Sequence, residues 1–66
     1  MPIKILTNSR ITVRVDSYLD WDKETMYIVV TYHIPEINKY EKVRFEANEI
    51  SKAKELLSDL TTMYND

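Results

Sequence analysis

The chain has 66 residues, a net charge of −2, no cysteine and no glycine. This length allows one domain, residues 1–66, without room for a second core. Disulfides and thiolate metal sites are excluded without cysteine, and glycine-rich phosphate loops are excluded without glycine. We therefore expect a small protein stabilised by its apolar residues, or by association with a copy or a partner.

The chain contains no apolar run near the roughly 18 residues of a membrane span, and its first residues do not resemble a signal peptide. We therefore expect a soluble, cytoplasmic protein with no membrane partner. The mildly acidic balance also lowers the expectation of dedicated nucleic-acid binding, because such proteins are usually basic overall.

A short first strand is predicted around Ile3 and Ile5, which precede a polar segment. A three-residue loop at residues 8–10 would place this strand beside the next one with its apolar face preserved. In that register Ile5 pairs with Val13, and Ile3 pairs with Val15. The alternative is one extended strand with a bend or bulge. We prefer the separate strand, because one continuous strand would be unusually long.

Residues 11–34 have the pattern of one long β-hairpin folded at residues 22–23. Apolar residues then face one another in four pairs: Ile11 with Ile34, Val13 with Tyr32, Val15 with Val30, and Leu19 with Met26. Side chains alternate faces along a strand, so all of these residues are predicted on one apolar face. The aspartates and threonine around the fold favour a four-residue loop built on a type I turn.

The second hairpin strand ends at Pro35, because proline cannot donate to the strand ladder. A loop follows, and another strand is predicted at residues 40–46 with Val43 and Phe45 facing inward. This strand would make residues 26–34 a central strand. The predicted register sets Tyr32 against Val43 and Val30 against Phe45.

A C-terminal helix is predicted from Asn48, which suits an N-cap, with Glu49 at the positive end of the helix dipole. Apolar residues then recur at three- and four-residue spacing: Ile50, Ala53, Leu56, Leu57, Leu60, Met63 and Tyr64. This stripe is expected to cover the apolar face of the sheet. The predicted fold class is α+β, an antiparallel three- or four-stranded β-meander with one C-terminal helix packed on one face.

The sequence contains no constellation typical of catalysis. A nucleophile needs a base and an orienting group, and His33, the one histidine, is expected on the exposed sheet face, remote from the helix serines. Asp20, Asp22 and Glu24 resemble the start of a calcium loop, but the glycine at its sixth position and the glutamate at its twelfth are missing. We therefore predict no enzyme activity, no cofactor and no metal site.

One end of the uncovered sheet face is predicted to be basic. Its candidate nucleic-acid-binding residues are Arg10, Arg14, His33, Lys42 and Arg44. These side chains suit phosphates, base edges or stacking. The predicted architecture resembles the arm-site DNA-binding domains of phage-type integrases and the plant AP2 domain, which lay a sheet into the major groove. The other interpretation is an ordinary solvated sheet face.

The other end of that face and the hairpin loop are predicted to be acidic and aromatic. The candidate protein-binding residues are Asp16, Tyr18, Asp20, Trp21, Asp22, Glu24 and Tyr27. Exposed tryptophan and tyrosine are favoured as interface anchors. The Trp21 side chain has a second interpretation, in which it folds back over the end of the helix and completes the core, and we prefer that one.

The sequence therefore favours a small non-enzymatic regulator or inhibitor that binds a protein partner. In size and charge it resembles compact acidic inhibitors from phages and mobile elements, including anti-CRISPR proteins, and this resemblance implies occupation of the basic groove of a nucleic-acid enzyme by charge complementarity. The alternative is a nucleic-acid-binding module that uses the open basic face. Homodimerisation through an exposed sheet edge or face is a third hypothesis.

Overall fold

The computed structural model describes residues 2–65 and contains one antiparallel sheet followed by one helix. The strands are β1 (Pro2–Thr7), β2 (Thr12–Asp20), β3 (Thr25–Ile34) and β4 (Lys39–Glu46), and the helix is α1 (Ile50–Met63). The strands lie in the order β1-β2-β3-β4. The predicted α+β meander with a C-terminal helix is confirmed, with four strands rather than three.

The hairpin of β2 and β3 has the predicted register, with Val13 opposite Tyr32 and Val15 opposite Val30. Its four-residue loop, residues 21–24, is also as predicted. The Asp20 carboxylate holds the loop, because its Oδ1 accepts hydrogen bonds from the backbone N–H groups of Asp22 (3.2 Å) and Lys23 (3.3 Å). This is the local side-chain-to-backbone bonding that makes aspartate a turn former.

The core lies between α1 and the apolar face of the sheet. Val30 and Ile34 of β3 are its largest fully buried side chains, and α1 contributes Ala53 and Leu60. The remaining buried members are Ile11, Val13, Val15, Tyr32 and Phe45. The sheet face away from α1 is called the open face below.

The register of β1 differs from the prediction by one residue. Leu6 lies opposite Val13, and Ile5 lies opposite Arg14. The loop has four residues rather than three, because the Asn8 Oδ1 accepts hydrogen bonds from the backbone N–H groups of Arg10 (2.7 Å) and Ile11 (3.0 Å). A one-residue change exchanges the two faces of a strand, so Ile5 lies on the open face instead of the core face.

The register of β4 differs from the prediction by two residues, which preserves the faces but changes every neighbour. Val43 lies opposite Val30, and Phe45 lies opposite Ile28. The connection from β3 is shorter than expected because Pro35–Ile37 forms a 3₁₀ turn. Asn38 closes it with φ of 49°, a left-handed conformation that asparagine tolerates better than most residues.

The helix begins differently from the prediction, since Asn48 is not its N-cap. Ala47–Glu49 forms a 3₁₀ turn that leads into α1, and Glu46 caps this turn. Glu46 and Glu49 form a reciprocal capping box, in which the Glu49 carboxylate accepts the Glu46 backbone N–H at 3.1 Å. At the other end of the helical stripe, Met63 is exposed instead of joining the core.

The helix covers only part of the hairpin. The chain turns back at the end of β4, where Glu46 lies opposite Tyr27, and α1 runs toward the β1–β2 loop, where Asn8 Nδ2 donates to the Tyr64 carbonyl at 3.1 Å. The end of the hairpin therefore extends past the start of α1. The molecule is elongated as a result, with extents of 38 × 18 × 17 Å.

Candidate protein-binding surface

The hairpin tip, residues 18–27, contains the one tryptophan of the chain, Trp21, together with two tyrosines. Trp21 lies in the loop with 81% of its surface exposed. The preferred interpretation of this side chain as a core residue is therefore wrong. The reason is geometric, because the loop lies beyond the start of α1 and the tryptophan has no helix to fold against.

Leu19 and Met26 add apolar surface beside Trp21. They lie opposite each other in the hairpin, as predicted, and their alternation places them on the same face as the core. Both are nevertheless exposed, Met26 at 49%. The hairpin tip thus presents aliphatic side chains on its helix-side face without a protein layer over them.

The open face of the hairpin tip is aromatic. The rings of Tyr18 and Tyr27 stack with centroids 5.4 Å apart and planes at 24°. The Arg44 guanidinium lies over the Tyr27 ring, 3.7 Å from its centroid. Cation–π contacts and offset stacking both hold ring orientations in place, so these side chains form an ordered cluster rather than independent rotors.

Arg44 also pairs with two carboxylates. Its Nε donates to Glu46 Oε1 at 2.8 Å, and its Nη2 donates to Asp20 Oδ2 at 3.1 Å. The hydrogen bond to Glu46 is the main cause that raises the pKa of Arg44. Burial pushes the pKa of Asp20 upward, but hydrogen bonds from the Lys23 N–H, Arg44 and the Asp22 N–H outweigh it, and the net pKa is lowered.

The carboxylates predicted for this surface have three different placements. Asp22 and Glu24 lie exposed in the loop, and Glu24 adopts a left-handed conformation with φ of 54°. Asp20 anchors the loop and Arg44. Asp16 is only 5% exposed, and its Oδ1 accepts a hydrogen bond from Arg14 Nε at 3.0 Å. Asp16 therefore positions Arg14 and offers little surface to a partner.

The residues of the nucleic-acid hypothesis do not form one free basic patch. Arg14, His33, Lys42 and Arg44 share the open face, but Arg14 pairs with Asp16 and Arg44 with Asp20 and Glu46. Arg10 lies instead at the end of α1, where it donates to the Asn65 carbonyl at 3.1 Å and to Glu36 at 3.3 Å. The register of β4 places Arg44 at the acidic end, so the predicted separation of basic and acidic ends is not present.

Within residues 2–65, His, Asp and Glu side chains nowhere cluster in threes in a way that could hold a metal ion. The helix of this described part is too short and too polar to cross a membrane.

The exposure of Leu19 and Met26 was not predicted, although the lengths of β3 and α1 indicate it. The strand β3 has 10 residues and α1 has 14. At about 3.3 Å per strand residue and 1.5 Å per helix residue, the strand is about 33 Å long and the helix about 21 Å. A helix of that length leaves one end of the hairpin uncovered.

Comparison of the chain with protein families, with curated proteins and with solved structures finds no match.

Proposed function

We propose that this protein is a small non-enzymatic regulator or inhibitor that binds a protein partner through its hairpin tip. The observation that carries the proposal is the exposure of Trp21 at the loop, between exposed aliphatic residues on one face and stacked tyrosines on the other. Large exposed apolar patches on small proteins commonly mark interaction sites. Tryptophan and tyrosine are also the residues most enriched among binding hot spots.

The arrangement of Arg44 supports this function. Because Arg44 fixes Tyr27, and Tyr27 stacks on Tyr18, part of the contact surface is ordered before binding. Ordering side chains on association costs about 0.5–1.5 kcal/mol for each flexible side chain. A preordered cluster avoids part of that cost.

The charge of the loop favours a basic partner. Asp22 and Glu24 are exposed around Trp21, and Lys23 is the one basic residue of the loop. An acidic rim around an apolar centre is complementary to a basic groove with an apolar floor. Grooves of this kind occur in nucleic-acid enzymes, so we propose such an enzyme as the target and a phage or mobile element as the source of the inhibitor, acting in the cytoplasm.

The test is affinity capture from the native host with tagged wild-type protein, followed by titration of the purified partner. We expect Trp21→Ala to weaken binding by roughly tenfold or more. Tyr40→Ala is the matched control, because Tyr40 is 69% exposed on β4 at the opposite end of the molecule. Equal loss with both variants, or no loss with Trp21→Ala, would contradict the proposal.

Nucleic-acid binding through the open face is the second candidate. The observation in its favour is that Arg14, His33 and Lys42 lie on neighbouring strands of one solvent-facing surface. The pairing of Arg14 and Arg44 with carboxylates reduces the positive charge offered to phosphates. The test is binding to duplex and single-stranded nucleic acid at low salt. Binding that Lys42→Glu abolishes and Trp21→Ala leaves unchanged would favour this candidate instead.

A further inference from the structure

The outer edge of β1 differs in character from the other edge of the sheet. In β1 the aliphatic side chains Ile3, Ile5 and Leu6 are exposed, Ile5 at 61%, and Lys4 is the only charged residue. In β4, at the opposite edge, five of eight residues are charged. Charged side chains on an edge strand discourage pairing with another chain, whereas an apolar edge with unpaired backbone groups accepts it.

A groove runs beside this edge, between β1 and α1, and is called the β1 groove. It has a volume of about 350 Å³, and its lining includes Leu6 and Leu57 together with Lys4 and Lys54. Leu57 is only partly buried against the core. The β1 groove therefore combines two leucines with two lysines, and its lining is completed by the hydroxyl-bearing residues Ser58, Thr61 and Thr62.

Within the described part of the chain, the two lysines of the β1 groove form no ion pair with an acidic side chain. Every ion pair found within residues 2–65 involves Arg10, Arg14, Arg44 or Lys52. Lys4 and Lys54 thus place two uncompensated positive charges at this edge of a chain whose net charge is −2. A ligand at this edge gains from carrying negative charge.

We propose that the outer edge of β1 binds an extended acidic peptide segment of a partner protein as a fifth strand of the sheet. Addition of a strand to a sheet edge takes its affinity from main-chain hydrogen bonds and its specificity from alternate side chains. The register shift between Pro2 and Lys4 interrupts regular pairing, so the usable edge runs from Lys4 to Thr7.

The alternation of side chains along β1 defines which residues the bound peptide carries at each position. Lys4 and Leu6 point toward the β1 groove, and Ile5 lies on the open face. A bound strand therefore places an acidic residue opposite Lys4 and an apolar residue opposite Leu6, two positions apart. The residue between them lies opposite Ile5 and is β-branched and apolar, since such residues pair well across strands.

A second copy of the chain fits this edge less well than an acidic peptide. Two β1 strands paired antiparallel about a two-fold axis, with their faces matched, bring Lys4 and Lys54 of both copies to the same side of the joined sheet. The second copy therefore adds positive charge at this edge, and its β1 has no carboxylate to meet Lys4, whereas an acidic peptide supplies one. This site is separate from the hairpin tip, because β1 reaches only to the level of Asp16 on β2.

The test uses two synthetic peptides of about eight residues, built around Thr-Leu-Ile-Glu and Thr-Leu-Ile-Lys to lie opposite residues 7, 6, 5 and 4. Titration into isotopically labelled protein, followed by amide NMR shifts, measures both affinity and location. We expect the Glu peptide to shift the β1 amides, and Lys4→Glu to weaken its binding by at least about threefold. The Lys peptide should bind Lys4→Glu better than it binds the wild type.

Two controls separate strand addition from simple charge attraction. A Glu peptide that is N-methylated on the amides facing β1 should lose binding, because it cannot form the ladder. Trp21→Ala should bind the Glu peptide as the wild type does, which separates this site from the hairpin tip. Three results would each overturn the proposal. The first is that the β1 amides do not shift, and the second is that Lys4→Glu does not change which peptide binds better. The third is a concentration-dependent dimer that Ile5→Lys abolishes.

Discussion

The Arg44 guanidinium contacts two carboxylates and one aromatic ring at the same time, and these contacts order the open face of the hairpin tip. In the sequence, Arg44 is one of three arginines and, like Arg14, stands two residues before a carboxylate. It is as suited to a phosphate as to a carboxylate. The register of β4 places Arg44 opposite Val29 and between Asp20 and Glu46, so its carboxylate contacts come from the register.

The lowered pKa of Asp20 predicts a pH dependence at the residue scale. A carboxyl with a lower pKa in the folded state stabilises the fold above its ordinary pKa of 3.8, and this contribution is lost as the pH falls through the lowered value. We therefore expect the wild type to lose its stability advantage over Asp20→Asn between about pH 5 and pH 2. Urea unfolding of both proteins across this range measures the difference.

The same measurement has a matched control in Asp22→Asn, since Asp22 is an exposed carboxylate of the same loop. A difference between wild type and Asp20→Asn that stays constant down to the lowest pH would contradict the role of the Asp20 carboxylate in holding the loop and Arg44.

At the scale of elements, local sequence explains why each strand and the helix form. The loops between the strands decide which residues of neighbouring strands pair. The alternation of β2 and β3 matches a half-buried pleated surface, and the four-residue loop between them follows from the Asp20 side chain. The registers of β1 and β4 depend on Asn8 and Asn38, which shape the loops next to these strands. A change of one or two residues in loop length changes every residue pair between the neighbouring strands.

Substitutions at Ile34 and Ile37 test where the core lies along the chain. Ile34 at the end of β3 is 2% exposed and Ile37 in the following turn is 56% exposed. We expect Ile34→Ala to cost about 2–5 kcal/mol of the free energy of unfolding, because it removes buried surface and leaves a cavity. Ile37→Ala should change it by about 0.5 kcal/mol or less. Urea denaturation checks both, and equal losses would contradict this core.

The start of α1 offers a second test at this scale. Because Glu49 forms the capping box with Glu46, Glu49→Ala should lower the free energy of unfolding by about 0.5–2 kcal/mol. Asn48→Ala should have little effect, although Asn48 is the residue that the sequence favours as the cap. Thermal unfolding by circular dichroism compares the two, and a larger loss for Asn48→Ala would show that the capping box is not the stabilising contact.

At the scale of the whole molecule, the proposed protein-binding surface depends on a mismatch in length between the sheet and the helix. The β2–β3 hairpin is longer than α1, so one end of a continuous apolar face is left without cover. Because of this mismatch, the side chains of Leu19, Trp21 and Met26 are exposed instead of joining the core. It also separates the two proposed sites, since the hairpin tip lies beyond α1 while the β1 groove lies beside it.

The sequence by itself determined the β2–β3 hairpin and its register, the following strand, the C-terminal helix and the central core residues, and it left open whether β1 is a separate strand. These depend on local periodicity and turn chemistry, which a linear pattern records. Only the tertiary structure decided the neighbours of Arg44, the open-face position of Ile5 and the exposure of Trp21. The first two features depend on one- and two-residue differences in loop length, which have no periodic signal in the chain. The exposure of Trp21 depends on where the helix starts over the sheet, which the lengths of β3 and α1 indicate only in part.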